Sequence, residues 1–552
     1  MTSSNPAIDT RDRDQTSVVA TYLAGLGTLV RFILRRDRIR IPVWVVLITA
    51  LTVFNTSGLP DFYSTEEERQ SRAELMSNPA AVALSGPGYG TDNYTYGAIV
   101  ANEILSILAV VVGIMSILMV VRHTRSEEET GRAELLRASI VGRHAHLTAA
   151  LLVMICTNLV LGLLLAAALV GLGLESIDWT GSLAFGLALA AVGITFGAVA
   201  AVLGQVFEYG RSATGFSLAA LGTAYAVRAA GDMSGGTLSW ASPIGWSQAM
   251  RAYVDERWWP LALALLFTAG CAAAAYYLST KRDVAAGLRA PAPGPPAASD
   301  ALTRPLGFAL RLHKGSLIGW GVALLVFSSV YGWLSGEVEQ FVSDNPSLEE
   351  YLGATAEASL IDSWLSVVVS FFAIICGIYA TLAAMRLRGE ETAGRVEPLL
   401  ATSLSRVRWI GSHLAVALAG SVAMLSFAAV GLGTSAAISV GDWGVFSKTV
   451  GSTMTYIPAV WITVGLVVAL FGLIPRFAAL AWLVIAYAFT VTMLGELLQF
   501  PDWMYDLSPY SLVPAMPAEG FDVLPVLALT VLTLILIAVG LASFQRRDIE
   551  MT

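Results

Sequence analysis

Ionisable side chains are scarce in this sequence. Asp, Glu, Lys and Arg make up 13% of its 552 residues, against roughly a quarter in an ordinary globular domain. That scarcity excludes a water-soluble protein of this length. Cysteine is nearly missing as well: Cys156, Cys271 and Cys376 stand far apart, each inside a long apolar run. Buried thiols are expected there, with neither a disulfide framework nor a zinc site. Histidine amounts to five residues. The one close pair, His144 and His146, has no cysteine or further histidine nearby, so interfacial polar residues are expected and no metal. No G-x-x-x-x-G-K-S/T phosphate loop occurs, and no polar stretch is long enough for an ATPase domain. ATP hydrolysis on this chain is therefore excluded. Ten-residue stretches of alternating polarity are absent too, which excludes a membrane β-barrel.

What the chain has instead is apolar length. Hydrophobic residues make up 56% of it and the mean hydropathy is +0.67. They gather into runs of about twenty, the length a helix needs to cross a hydrocarbon core of about 30 Å. Inside lipid every backbone N–H and C=O must be satisfied within the segment, so these runs are helices. Twelve spans are expected: Ile41–Gly58, Ala98–Val121, Leu147–Leu172, Leu183–Val206, Ser212–Ala230, Leu261–Leu278, Ser316–Leu334, Ile361–Met385, Ile410–Ile438, Met454–Ile474, Phe477–Leu498 and Val523–Ser543. The fold class is an all-α polytopic membrane protein. The polar first eighteen residues lack the apolar core of a signal peptide.

Charge sets the orientation. Arg31, Arg35, Arg36, Arg38 and Arg40 precede the first span, Arg122 to Arg143 follow the second, Arg386 to Arg408 follow the eighth, and the twelfth ends on Arg546-Arg547. The alternate loops are acidic: Ser335–Leu360 and Phe500–Asp522 hold no basic residue. The positive-inside rule then places both termini in the cytoplasm, although the net charge is −8.

The chain is also doubled. R-x-E-E-x-x-G-R-x-E-x-L runs from Arg125 to Leu136 and again from Arg388 to Leu399. Lys281-Arg282-Asp283 ends the sixth span as Arg546-Arg547-Asp548 ends the twelfth. A Pro/Ala-rich linker, Ala290–Asp300, separates the copies and cannot be helical. The expected division is 1–40 (cytoplasmic tail and interfacial helix), 41–279 (six spans), 280–314 (linker and second interfacial helix), 315–544 (six spans) and 545–552 (tail). An even number of spans per half makes the repeats parallel, with a pseudo-twofold along the membrane normal.

Each motif copy reads as a short acidic helix beneath the bilayer. In the first, Ser126 is placed to cap it and Glu129 to complete a capping box, while Gly131 permits close approach of another group. A well-capped solvated loop helix would satisfy one copy. Two copies in register, presenting carboxylates and an arginine, suit salt bridges to a soluble partner better. In the second copy Gly389 replaces Ser126 and Pro398 replaces Leu135, so that helix should be shorter or shifted.

The pattern E-E-x-x-G-x-x-E-x-L after the second helix of a six-helix half resembles the coupling-helix region of type-2 ABC exporter permeases. The fused twelve-helix form is similar to the actinobacterial permeases of multidrug or polyketide-antibiotic exporters, and the likeness covers essentially the whole chain. It implies a bacterial plasma-membrane protein that exports small hydrophobic or amphipathic compounds with two copies of a soluble ABC ATPase. That partner would bind ATP and Mg, and this chain no cofactor; no nucleic acid is involved. By the same resemblance Glu127, Glu128, Gly131, Arg132 and Glu134, with Glu390, Glu391, Gly394, Arg395 and Glu397, couple the two proteins. Gly25–Arg38 and Leu306–Lys314 resemble interfacial connecting helices.

Intramembrane polar residues usually mark a path. Asn55, Asn102, Glu103 and Asp362 are the polar candidates, with Asn158, Arg228 and Glu496 behind them. Glu103 and Asp362 equally suit helix-start carboxylates, and Arg228 a pair with Asp232 or an outward reach. Trp364, Phe371 and Phe372 fall on the eighth span, where they line a cavity or simply pack. The segments Asp61–Tyr96 and Gly231–Pro260 are expected to cap the exit. Two other readings remain: an exporter of lipids or envelope precursors, and a secondary transporter, which the scarcity of central charges disfavours. An intramembrane enzyme would need a catalytic cluster at membrane depth, and none is evident.

Overall fold

Apolar runs become helices here because hydrocarbon offers the backbone no other partner. The computed structural model describes residues 22–76, 79–131, 141–282, 287–288, 294, 296–338, 359–495 and 500–548. Arg132, Glu134 and Glu496 lie outside them, as do the first twenty-one residues and residues 290–293 and 295 of the Pro/Ala linker. The described residues are helical or irregular, with no sheet. They divide into two units, Met1–Pro293 and Gly294–Thr552.

In the first unit, α1 (Leu26–Arg36) and α2 (Arg40–Ser57) lead to a short α3 (Glu66–Leu75), then α4 (Leu105–Arg122) and α5 (Arg125–Glu129). Four longer helices follow: α6 (Ala145–Gly171), α7 (Trp179–Val206), α8 (Gly210–Met233) and α9 (Pro260–Thr280). In the second unit, α10 (Pro305–Trp333), α11 (Leu360–Thr392), α12 (Val396–Leu400) and α13 (Arg406–Val440) are followed by α14 (Gly444–Leu473), α15 (Trp482–Leu494) and α16 (Val523–Arg546).

Among the described residues eleven helices are long and apolar enough to span a membrane. The expected span at Ser212–Ala230 is helical, as α8, yet is not one of them. Arg211, Arg228 and Asp232 and its many small and hydroxylated residues lower its hydropathy. Arg228 does not reach outward. It is fully buried, 3.3 Å from Asp232, and donates to the carbonyls of Ala83 (2.9 Å) and Leu84 (3.1 Å).

Each unit has the same internal layering. The second and fourth spans form its core, while the first and last keep outward apolar faces such as Val43, Val46 and Leu47 or Leu527, Leu534 and Ile535. Close helix contact uses small residues. A Cβ on Gly162 of α6 would stand 2.5 Å from the Gly186 carbonyl of α7.

Two expectations need correcting. Leu306–Lys314 is not a separate interfacial helix but runs straight into α10. In the first unit, by contrast, Asp37 breaks the chain after α1, its carboxylate drawn to Arg122 and His123. The cysteines are free but not uniformly buried: Cys156 is exposed, Cys271 half-buried and Cys376 buried.

Candidate functional site at the repeated motif

The two motif copies sit where the second span of each unit ends, and their leading carboxylates point inward. Glu127 and Glu128 are buried, as are Glu390 and Glu391. Glu127 accepts from Arg36 at the end of α1. It also lies 3.5 Å from His123 Nδ1 and 3.7 Å from His146 Nε2. Glu128 accepts from Arg125 (2.7 Å) and, through both its oxygens, from Arg282 (2.6 and 2.8 Å) just past α9. Arg125 is itself fully buried and donates to the Glu208 carbonyl at 2.6 Å. The two guanidinium groups replace hydrogen bonds to water that this carboxylate loses on burial.

The second unit repeats the plan. Glu391 accepts from Arg547, just past α16, at 2.9 Å. Glu390 is bound by Arg395 of its own motif at 2.7 and 3.1 Å and approached by Arg386 at 3.5 Å. In both units an arginine at the start of the third span closes the same corner: Arg143 donates to the carbonyls of Ser279 and Thr280, and Arg406 to those of Phe544, Gln545 and Arg547.

These contacts correct the reading of the four carboxylates as groups facing a soluble partner. Among the described residues, the exposed parts of the motif are Glu129 and Thr130 in the first copy, and Gly389, Thr392 to Arg395, Glu397 and Pro398 in the second. The expected capping box is not formed either. Thr124 precedes α5 without a side-chain cap, and Glu129 instead accepts from the Gly210 N–H at 2.9 Å. The motif glycines have a conformational role and no close neighbour: Gly131 has φ +73° and Gly394 φ +69°, with nothing within 4 Å of a Cβ on either. Each turns the chain sharply, its N–H returning to Glu128 (3.1 Å) or Glu391 (2.9 Å). In the second copy α11 runs through Gly389 to Thr392, so its short helix α12 is shifted past the glycine, with Pro398 in its first turn.

Most of the residues singled out for a substrate path have partners within their own unit. Asn55 is exposed and donates to its own helix at Leu51 (2.9 Å). Asn102 exchanges two hydrogen bonds with the backbone of Tyr89 (3.1 and 2.9 Å). Glu103 is clamped by Arg72 of α3 at 3.0 and 2.8 Å. Burial of Arg72 opposes its charge, but the Glu103 carboxylate outweighs that and raises its pKa above the ordinary value. Burial likewise raises the Tyr63 and Tyr94 hydroxyls beside this pair. Asp362 meets Lys448 at 3.0 Å. Phe371 and Phe372 belong to an edge-to-face cluster with Phe327 and Tyr331, while Trp364 is half-buried nearby on α11.

Comparison with known proteins decides the family. Residues 302–545 match the family model described as the C-terminal domain of the multidrug efflux system permease Rv1217c. The chain is 38% identical over 528 residues to the multidrug efflux system permease protein Rv1217c of Mycobacterium tuberculosis, covering 95% of each. This chain belongs to the multidrug efflux system permease family. The permease thus carries, at each motif, an ionic corner that sequence reasoning saw only in part. Arg282 and Arg547 were visible as a repeated ending without an assigned role. Arg143 and Arg406 follow Arg125 and Arg388 at one spacing, a signal that was available. Arg36, Asp37 and His123 have no counterpart pattern in the second half and offered none.

Proposed function

We propose that the permease is the transmembrane part of an ATP-driven exporter of hydrophobic or amphipathic compounds, drugs among them, working with a separate soluble ATPase dimer. Both termini and both motifs face the cytoplasm. The observation that carries this reading is the tie repeated in both units: a motif glutamate buried just before a glycine turn and bound to the arginine that ends the unit's last span. The exposed turns, with Glu397 and Arg395, are the surface the ATPase grips. Glu128–Arg282 and Glu391–Arg547 then pass its movement to α9 and α16, and Glu127–Arg36 passes it to α1. Rigid charged ties suit this task because packed elements shift between discrete arrangements and do not deform continuously.

Co-expression with the cognate ATPase tests it. Glu397→Lys is expected to lose the ATPase on purification, whereas Glu128→Gln with Glu391→Gln keeps it but uncouples hydrolysis from export. Export that persists in vesicles without ATP and collapses with the proton gradient would falsify the reading.

A further inference from the structure

A cavity of about 470 Å³ opens beside the second motif, wholly within the second unit. Its wall includes Arg304, Phe308, Leu399, Arg408, Trp409 and His413, and no carboxylate lines it. Two helix starts meet there, since Arg304 and Pro305 begin α10 while Arg408 and Trp409 lie in the first turn of α13. The positive ends of two long helix dipoles and two guanidinium groups therefore act on one space. A second, independent feature points the same way. Trp409 is 2% exposed, lines the cavity, and its Nε1–H has no hydrogen-bond partner. A buried indole N–H without an acceptor is a standing cost that a bound anion removes.

Among the described residues the first unit does not repeat this lining. Aligning the two motifs puts Ala145 and His146 at the positions of Arg408 and Trp409, and His146 is turned to Glu127. The coupling plan shared by both units therefore leaves the cavity's chemistry unexplained. Apolar wall from Phe308 and Leu399 adjoins the basic rim, a combination that suits an amphiphile with an anionic head.

We propose that this cavity binds a phosphoryl group, held by Arg304, Arg408 and the Trp409 N–H, with the attached apolar chain lying along Phe308 and Leu399. The site is independent of the coupling reading above and is tested without transport. The purified full-length permease is exchanged into detergent containing phosphatidylglycerol or phosphatidylcholine of the same acyl chains, and retained lipid is measured by native mass spectrometry. Phosphatidylglycerol is expected to be retained about tenfold more strongly, a preference abolished in Arg304→Gln/Arg408→Gln. Arg476→Gln, which removes an exposed charge elsewhere in the unit, keeps it. Trp409→Phe retains the ring and weakens binding by about threefold. Displacement of the lipid by glycerol 3-phosphate identifies the phosphoryl group alone as sufficient, and retention against it identifies a lipid headgroup. Equal retention of the two lipids by the wild type, or a preference that survives both arginine loss and Trp409→Phe, overturns the proposal.

Discussion

Arg282 binds Glu128 through two hydrogen bonds of 2.6 and 2.8 Å, joining the end of a unit's last span to the motif that follows its second. Arg547 repeats the bond to Glu391 at 2.9 Å. Glu128 has a second guanidinium in Arg125 at 2.7 Å.

Breaking either tie should lower stability. Arg547→Ala takes a charged donor from a buried carboxylate and is expected to cost on the order of 3 kcal/mol. Arg282→Ala removes both of its bonds to Glu128 and is expected to act in the same direction. Thermal unfolding of the purified permease measures both. Glu391→Gln placed in the Arg547→Ala background should recover part of the loss, and a deeper loss would contradict the pairing.

The motif turns make a purely backbone prediction. Gly131→Ala or Gly394→Ala meets no neighbour, yet forces a Cβ into a left-handed conformation at about 1–2 kcal/mol. Asparagine tolerates that region better, so Gly394→Asn should lose less than Gly394→Ala in the same unfolding experiment. Equal stability of all three would remove the turn as the reason for the repeated glycine.

At the opposite end, Arg72 and Glu103 hold α3 against the start of the second span. Arg72→Gln breaks a bidentate charged contact whose partners are each about one-fifth exposed. Amide hydrogen exchange across Glu66–Leu75 is expected to rise well above that of the core spans. If exchange there is unchanged, the clamp does not order this segment.

The same helix carries a pH response. Thr65 and Glu68 form a capping box at its start, and the Thr65 backbone N–H, with the Ser64 hydroxyl, lowers the Glu68 pKa below its ordinary 4.5. A carboxylate lowered on folding stabilises the helix above the unfolded value and loses that contribution as pH falls through the folded one. Exchange in α3, corrected for its intrinsic rate, should therefore accelerate below about pH 4.5. Glu68→Gln should flatten this dependence while leaving exchange in α7 unaltered.

Close packing supplies a last prediction. Gly186→Leu drives a side chain into the Gly162 backbone, where a Cβ alone would stand 2.1 Å from the carbonyl. Overpacking of about 1–3 kcal/mol is expected as a lower unfolding temperature, with Gly171→Leu, which faces open space, as the tolerated control.

Most of the helices were legible in advance because composition and run length answer to the bilayer alone. Span eight was expected at Ile361–Met385 and lies within α11; span three was expected at Leu147–Leu172 and all of it but Leu172 lies in α6. The fifth was overestimated because apolar and small residues count alike in a run, while Arg228 needs carbonyls from another segment to be buried at all. The inward aim of Glu127, Glu128, Glu390 and Glu391 was not legible. A carboxylate in a polar segment looks solvated until its partners are known, and for Glu127, Glu128 and Glu391 a partner stands about 90 or 155 residues away.

Apolar length and charge asymmetry thus dictate, residue by residue, an all-helical membrane chain built twice over, since transfer of each run into hydrocarbon needs no information from elsewhere. Which charges are buried, and which arginine answers which glutamate, is settled by folding. A tie such as Glu128–Arg282 exists only when two distant segments arrive within about 3 Å of each other, and no local pattern specifies that meeting.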